Sequence, residues 1–195
     1  MTSAYPPGTA LVVVDVQNDF ADPAGSLAVP GGPDVVRAAN AEIEAATTAG
    51  APVLYSQDWH PPDTPHFAKD GGTWPVHCVQ GTWGAALHPD LLVRGEVVRK
   101  GEHGEDGYSA FSMRDPQTER VLQTRLAQLL RDAGAERLVV VGLATDYCVR
   151  ATALDARVLG WPVVVPWSAV AAVDLEPGDG ERTREELVRA GVVIA

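Results

Sequence analysis

The sequence predicts an α/β fold: one doubly wound domain, with helices on both faces of a central, mostly parallel six-stranded sheet. The main observation is that short β-branched runs alternate along the chain with longer amphipathic segments. Strands that alternate with helices pair in parallel and connect by right-handed crossovers. The length of 195 residues suits a single domain, 1–195, that buries about 70% of its unfolded surface.

The first strand and the first helix are the clearest elements. Residues 9–16, TALVVVDV, are almost wholly apolar and rich in valine, which is typical of a strand buried on both faces. Residues 33–50 carry apolar side chains at helical spacing. Pro33 suits the first turn of this helix, and Gly50 suits its end.

The middle of the chain adds three strands and a helix. Residues 51–58 and 96–100 predict the second and third strands, and the loop between them is rich in proline and glycine. Loops of that length are often functional. Leucines at helical spacing predict a helix over 117–134, and the run ERLVVVGL predicts the fourth strand over 136–143.

The last third of the chain repeats the pattern. Residues 146–160 predict a helix that a glycine closes, and residues 161–167 predict the fifth strand. A final helix over 183–191 leads into an edge strand over 192–194.

Charge and composition limit the partners. Twenty-six acidic residues against 15 Lys and Arg give a formal charge of −11, which argues against nucleic acid and anionic membranes as partners. The segment MTSAYPPGTA has neither the basic region nor the apolar region of a secretory signal, and the longest apolar runs are too short to span a bilayer. The two cysteines lie far apart, so we expect free thiols and a cytoplasmic location. Assembly into a homo-oligomer is compatible with the sequence.

Polar residues follow four of the predicted strands. Asp15 ends the first strand, Asp58 the second and Lys100 the third, and Cys148 follows the fourth. Each has an ordinary interpretation on its own, such as a cap, a turn former, a solvated edge residue or a small buried thiol. Open parallel sheets bind ligands beyond the carboxyl ends of their strands, so the coincidence favours a site.

These residue types suit nucleophilic catalysis. The thiolate of Cys148 would be the nucleophile, a carboxylate can take the thiol proton, and a nearby ammonium favours the thiolate. Cys148 also lies near the predicted start of a helix, where the potential is positive. Backbone N–H groups of the turn GLATDYC could hold an oxyanion. The pattern therefore predicts a Cys–Asp–Lys triad for acyl transfer.

A metal site is a second hypothesis. Asp58 and His60 lie two residues apart, and His66 and His77 follow in the long loop. Aspartate oxygen and imidazole nitrogen suit zinc, iron or manganese. The spacing alone is a weak signal, because histidines in a polar loop are more often solvated surface residues. Cys78, which has no partner at a familiar spacing, is interpreted as a structural buried thiol.

Five segments resemble the successive motifs of nicotinamidases, which belong to the isochorismatase-like cysteine hydrolase superfamily. They are ALVVVDVQNDFADPAGSLAVPGG, QDWHPPDTPHF, WPVHCVQGTWGAALHPDL, KGEHGEDGYSAF and VVGLATDYCVRATALDA. The resemblance runs from about residue 10 to residue 174. It implies a central parallel sheet and the hydrolysis of nicotinamide to nicotinate and ammonia through a cysteine thioester, a reaction of NAD salvage.

The resemblance also implies roles for the strand-end residues. Asp15 is the general base, Lys100 the third member of the triad and Cys148 the nucleophile. A cis Leu143–Ala144 peptide would aim the Ala144 N–H, with that of Cys148, at the oxyanion.

The resemblance further implies one divalent metal ion that orients the pyridine ring. Asp58, His60 and His77 match the family's metal ligands, and His66 matches a further histidine that ligates metal in some members. Zinc is the first choice, with iron or manganese as alternatives.

The implied substrate is a small amide, and the residues implied to wall its pocket are Phe20, Trp74, Tyr108 and Leu143. The acidic stretch 101–107 and Trp83 have no assigned role. Two alternatives are weighed: a hydrolase of the same superfamily that acts on carbamoyl, ureido or isochorismate-type substrates, and a non-catalytic binding domain of the same fold. The metal set argues against the first, and the intact triad against the second.

Overall fold

The computed structural model describes residues 5–195. The first four residues of MTSAYPPGTA, and with them the start of the predicted 1–195 domain, lie outside the described residues. The strands formed by residues 5–195 are β1 (Thr9–Val14), β2 (Val53–Asp58), β3 (Val97–Lys100), β4 (Ser112–Arg114), β5 (Val121–Gln123), β6 (Arg137–Leu143), β7 (Val163–Val165), β8 (Val170–Ala171) and β9 (Val193–Ile194). The α-helices of the same residues are α1 (Asn18–Ala21), α2 (Gly32–Thr48), α3 (Leu126–Asp132), α4 (Arg150–Val158) and α5 (Asp179–Arg189).

The central sheet has the predicted architecture. Its strand order is β3-β2-β1-β6-β7-β9, and every pairing along it is parallel. The six predicted strands are all present, and the two-residue strand β8 adds a short parallel pairing at the end of β6. The chain moves outward from β1 to β3 and then returns to β6 on the other side of β1. This reversal opens a cleft beyond the carboxyl ends of β1 and β6.

Alternate residues of β1 supply two cores, one on each face of the sheet. Leu11 and Val13 pack with the apolar face of α2, including Ile43. Ala10, Val12 and Val14 pack on the opposite face with side chains of α3, α4 and α5. Because both faces are covered, the strand is apolar throughout, as a doubly wound sheet requires.

The close contact between β1 and β6 depends on Gly142. Its φ is +119°, and a Cβ atom there would lie 2.1 Å from the Val14 carbonyl oxygen. No side chain fits in that space, so the central pair of strands requires glycine at this position.

The predicted helix over 117–134 is wrong in its first half. Residues Val121–Gln123 form β5, which pairs antiparallel with β4, and α3 begins only at Leu126. Thr124 explains the change, since its N–H donates to the Phe111 carbonyl and its hydroxyl donates to the Ala110 carbonyl. These tertiary bonds override the local helical spacing.

The remaining boundaries differ from the predictions by a few residues, and α5 begins earlier than predicted, at Asp179. None of the helices formed by residues 5–195 has both the length and the apolar character that a membrane span needs.

Candidate active site

The predicted triad residues meet at the carboxyl edge of the sheet. Lys100 Nζ lies 3.0 Å from Asp15 Oδ2 and donates to Cys148 Sγ at 3.8 Å. Asp15 is fully buried, Lys100 is 1% exposed and Cys148 is 6% exposed. The structure therefore brings together a thiol, a carboxylate and an ammonium out of contact with bulk water.

Lys100 is held by two carboxylates. Besides Asp15 it contacts Asp58 Oδ1 at 2.5 Å. Burial alone lowers the pKa of Lys100, but the charges of Asp15 and Asp58 outweigh it and hold the pKa well above its usual value. Lys100 is therefore a permanent cation in the site, compensated by its two partners.

The same ammonium affects the two acids differently. Burial raises the pKa of Asp58, but Lys100 and the adjacent His60 bring it well below its usual value. Burial also raises the pKa of Asp15, and there the attraction of Lys100 offsets only part of the increase. Asp58 is thus a fixed anion, whereas Asp15 is the carboxyl that holds a proton more readily.

Cys148 is a thiol at rest. Burial raises its pKa well above the usual value, Lys100 lowers it, and the negative charge of Asp15 raises it further. A group that accepts the proton is therefore needed to form the thiolate, and Asp15 interacts directly with the thiol.

Two residues that the sequence analysis missed position the carboxylates. Ser56, on β2, donates its hydroxyl to Asp15 Oδ1 at 2.7 Å. Gln17 donates to the Asp58 carbonyl at 2.7 Å and accepts the Asp58 N–H at 2.8 Å, which ties the end of β1 to the end of β2. Ser56 precedes Asp58 by two residues on β2, so both side chains point to the same face of the sheet. This spacing is the only feature of the local sequence that indicates the role of Ser56.

Cys148 lies in one π-helical turn, Thr145–Val149, which continues into α4. This confirms the prediction that it stands near a helix start. The predicted cis Leu143–Ala144 peptide is present, and Ala144 lines the cavity beside Cys148.

The assignment of Leu143 to the substrate pocket needs correction. Leu143 is the last residue of β6, it is fully buried and it packs in the core on the α2 side of the sheet. It does not line the cavity, because the chain turns toward the cavity only at Ala144.

Three histidines meet next to this cluster. One ligand atom from each of His60, His66 and His77 lies within 4.8 Å of the others, and all three residues are buried. Asp58 Oδ2 lies 3.5 Å from His60 Nε2 and 3.8 Å from His77 Nε2. The structure therefore places His66 in the histidine group itself, with Asp58 shared between the histidines and Lys100.

The hydrogen bonding of the histidines fits a metal ion. His66 Nδ1 lies 2.7 Å from Asp106 Oδ1, and His77 Nδ1 lies 2.7 Å from the Pro75 carbonyl, so each keeps Nε2 free. Both ring nitrogens of His60 are buried without a hydrogen-bond partner. Burial lowers the pKa of His77 to about 4, which keeps it neutral as a ligand must be. Buried imidazole nitrogens that have no hydrogen-bond partner are suited to bind a divalent metal ion.

One cavity connects the Cys148 thiol with His66 and His77. Its lining includes the predicted Phe20, Trp74 and Tyr108. Trp74 Nε1 donates to the Tyr108 hydroxyl at 3.0 Å. The sequence analysis missed four further lining residues, which are Leu27, Val29, Tyr147 and Val173. Tyr147 stands edge-on to Trp74, with ring centroids 4.9 Å apart.

Cys78 and Trp83, which the sequence analysis placed outside the site or left without a role, are both absent from the cavity lining. Cys78 is fully buried and its thiol is free, which confirms the structural interpretation. Trp83 is 53% exposed on the surface.

A parallel α/β sheet that holds a thiol, a carboxylate and an ammonium in contact beyond its strand ends defines a protein equipped for cysteine-based acyl transfer. The Isochorismatase domain family matches residues 9–188, and the chain belongs to this family. The resemblance found in the motifs is thereby confirmed.

Individual relatives agree with this assignment. The chain is 39% identical over 206 residues to a nicotinamidase of Escherichia coli (strain K12), covering 96% of this chain and 94% of the relative. Among solved structures, the pyrazinamidase of Pyrococcus horikoshii in complex with zinc superposes with a TM-score of 0.86 at 38% identity, covering 97% of this chain and 99% of that one. PnC1 from L. infantum in complex with nicotinate superposes with a TM-score of 0.84 at 39% identity, covering 96% and 91% of the two chains.

Proposed function

We propose that this protein is an amidohydrolase that converts nicotinamide to nicotinate and ammonia through a thioester on Cys148. The observation that carries the proposal is that one cavity is lined by the thiol, by two of the three clustered histidines and by aromatic side chains. Nicotinamide has an amide carbon that the thiol can attack, a ring nitrogen that can face the histidine group, and an aromatic face that can pack against the aromatic side chains. The nicotinamidase and pyrazinamidase relatives support the same substrate class.

In the proposed reaction, Asp15 takes the proton of Cys148 and the sulfur attacks the amide carbon. The C–N bond then breaks, and Asp15 returns the proton to the leaving ammonia. A water molecule attacks the resulting thioester and gives up a proton to Asp15, which restores the thiol as the C–S bond breaks. The contact of Lys100 with both Asp15 and Cys148 stabilises the negative charge in whichever partner carries it.

The carbonyl oxygen of the substrate gains negative charge in both steps. We assign its stabilisation to the N–H groups of Ala144 and Cys148, which both line the cavity at the turn after β6.

His60, His66 and His77, together with Asp58, would hold one divalent metal ion, with zinc as the first choice. The unpartnered ring nitrogens of His60 support this assignment. A bound ion would supply a Lewis acid for the pyridine nitrogen and would thereby help these residues to orient the ring.

Phe20, Trp74 and Tyr108 supply apolar walls for the ring, and Tyr147 extends the wall next to Trp74. We place the protein in the cytoplasm, where both of its cysteines would stay reduced.

The test is to measure ammonia and nicotinate release from nicotinamide by the purified protein and by Cys148→Ala. We expect wild-type turnover and its loss in the variant. Cys78→Ala is the matched control because it removes the other thiol, which lies in the core away from the cavity lining. Turnover of another small amide but not of nicotinamide would contradict the substrate, and full activity of Cys148→Ala would contradict the mechanism.

A further inference from the structure

The stretch 101–107 had no role in the sequence analysis, yet it supplies the only acid of residues 5–195 that is hydrogen-bonded to a clustered histidine. Asp106 Oδ1 lies 2.7 Å from His66 Nδ1 across 40 residues of sequence. The side chain of His66 is 6% exposed and that of Asp106 is 32% exposed. The acid therefore contacts the histidine from its outer side.

The backbone of the stretch holds Asp106 rigidly. The Asp106 N–H donates to the Arg114 carbonyl at 2.8 Å, and the Arg114 N–H donates back to the Asp106 carbonyl at 2.5 Å. This antiparallel bridge joins Asp106 to the last residue of β4. The Gly107 N–H donates to Asp106 Oδ1 at 2.8 Å, so the oxygen that meets His66 is itself fixed.

The bond determines which nitrogen of His66 faces the other histidines. A carboxylate that accepts the Nδ1 proton leaves Nε2 without a proton, and it makes that nitrogen a stronger electron-pair donor. His77 obtains the same orientation from the Pro75 carbonyl. In the described part of the chain, His66 is the one member of the group that is oriented by an ionisable side chain.

We propose that Asp106 is a positioning residue that orients His66 as a metal ligand, and that the stretch 101–107 serves to present it. The inference rests on the metal site of the proposed function. It concerns affinity for the ion and is independent of which amide is hydrolysed.

The experiment is a competition between the zinc-loaded full-length protein and a chromophoric chelator, which gives the Kd for Zn²⁺. Loss of a carboxylate behind a ligating histidine weakens metal binding by about 10- to 100-fold, and we expect Asp106→Ala to raise the Kd by that factor. Asp106→Asn is the conservative variant. Because its amide oxygen still accepts the Nδ1 proton, its Kd should lie between those of the wild type and Asp106→Ala.

Glu105→Gln is the matched control. It removes one acidic charge from the neighbouring position, where the carboxylate accepts the His103 N–H and not a bond from His66. Its Kd should stay within about twofold of the wild type, since a distant partly exposed charge contributes little.

A double-mutant cycle separates positioning from a general effect on the fold. In a His66→Ala background, either substitution of Asp106 should leave the Kd unchanged, because the histidine through which Asp106 acts is gone. Equal losses in both backgrounds, or no loss in the wild-type background, would overturn the inference. If Asp106→Ala does not fold, the test is the effect of Asp106→Asn on the Kd in the wild-type background compared with its effect in the His66→Ala background. If the wild-type protein binds no zinc, the metal site of the proposed function fails together with this inference. If the wild type binds zinc and Asp106→Ala binds it equally well, only this inference fails.

Discussion

Gly101→Ala tests how tightly the histidine group is held. Gly101 directly follows β3 with a φ of +82°, and a Cβ atom there would lie 2.7 Å from His60 Nδ1 and 2.8 Å from His60 Cε1. Ordinary contacts begin at 3.4 Å, so the ring would have to move by about 0.7 Å. A functional group tolerates displacements of only about 0.5 Å. We therefore expect zinc affinity to fall by about 10- to 100-fold.

The control for this substitution lies three residues further along. Gly104 has a φ of +91°, but a Cβ atom there would meet nothing nearer than Thr64 Oγ1 at 3.8 Å. Both alanine variants carry the strain of a left-handed backbone, which costs roughly 1–2 kcal/mol of unfolding free energy. Only Gly101→Ala also displaces His60.

The assay is the zinc Kd by chelator competition, together with the free energy of unfolding from urea denaturation for each variant. Both variants should lose similar stability from the backbone term, and Gly104→Ala should keep its zinc affinity. If Gly101→Ala binds zinc as tightly as Gly104→Ala, then His60 either moves without consequence or is not a ligand, and the reasoning is refuted.

Three further outcomes are expected. Ser56→Ala removes a hydrogen bond that lowers the pKa of Asp15. Since Asp15 must be ionised to act as a base, the acid limb of the pH profile of kcat/KM should move to higher pH. An unchanged profile would contradict the role of Asp15 as the base. Lys100→Met leaves Asp15 and Asp58 buried without their cation, so urea denaturation should show a loss of about 3–5 kcal/mol and turnover should disappear; a stable, active variant would refute it. Chelation of the metal should raise the KM for nicotinamide, and benzamide, which lacks the ring nitrogen, should show no such rise; an equal effect on both would argue against ring orientation by the metal.

The strand ends were predictable because a parallel sheet aligns them. Asp15, Asp58 and Lys100 each end a segment that the sequence identifies as a strand, and parallel neighbours necessarily present their carboxyl ends at one edge. The residue pairs Gln57–Arg99 and Asp58–Lys100 are in register between β2 and β3, so the contact of Lys100 with Asp58 follows directly from the strand pairing.

Predictions based on local spacing were less reliable. The leucines of 117–134 have helical spacing, yet β5 occupies part of that segment because Thr124 bonds to the segment around Ala110. Leu143 was assigned to the pocket by resemblance, but it faces the core because the strand continues through it.

The sequence by itself determined the alternation of strands and helices, the acid, lysine and cysteine beyond the strand ends, and the family. All of these are encoded in short segments, since burial on both faces demands apolar strands and the strand ends follow from them. Only the tertiary structure decided which of these side chains contact one another. It showed that one oxygen of Asp58 contacts Lys100 while the other faces the histidines, and that Asp106 reaches His66 across 40 residues. Such contacts join loops whose meeting depends on the packing of the whole chain, and no local pattern records them.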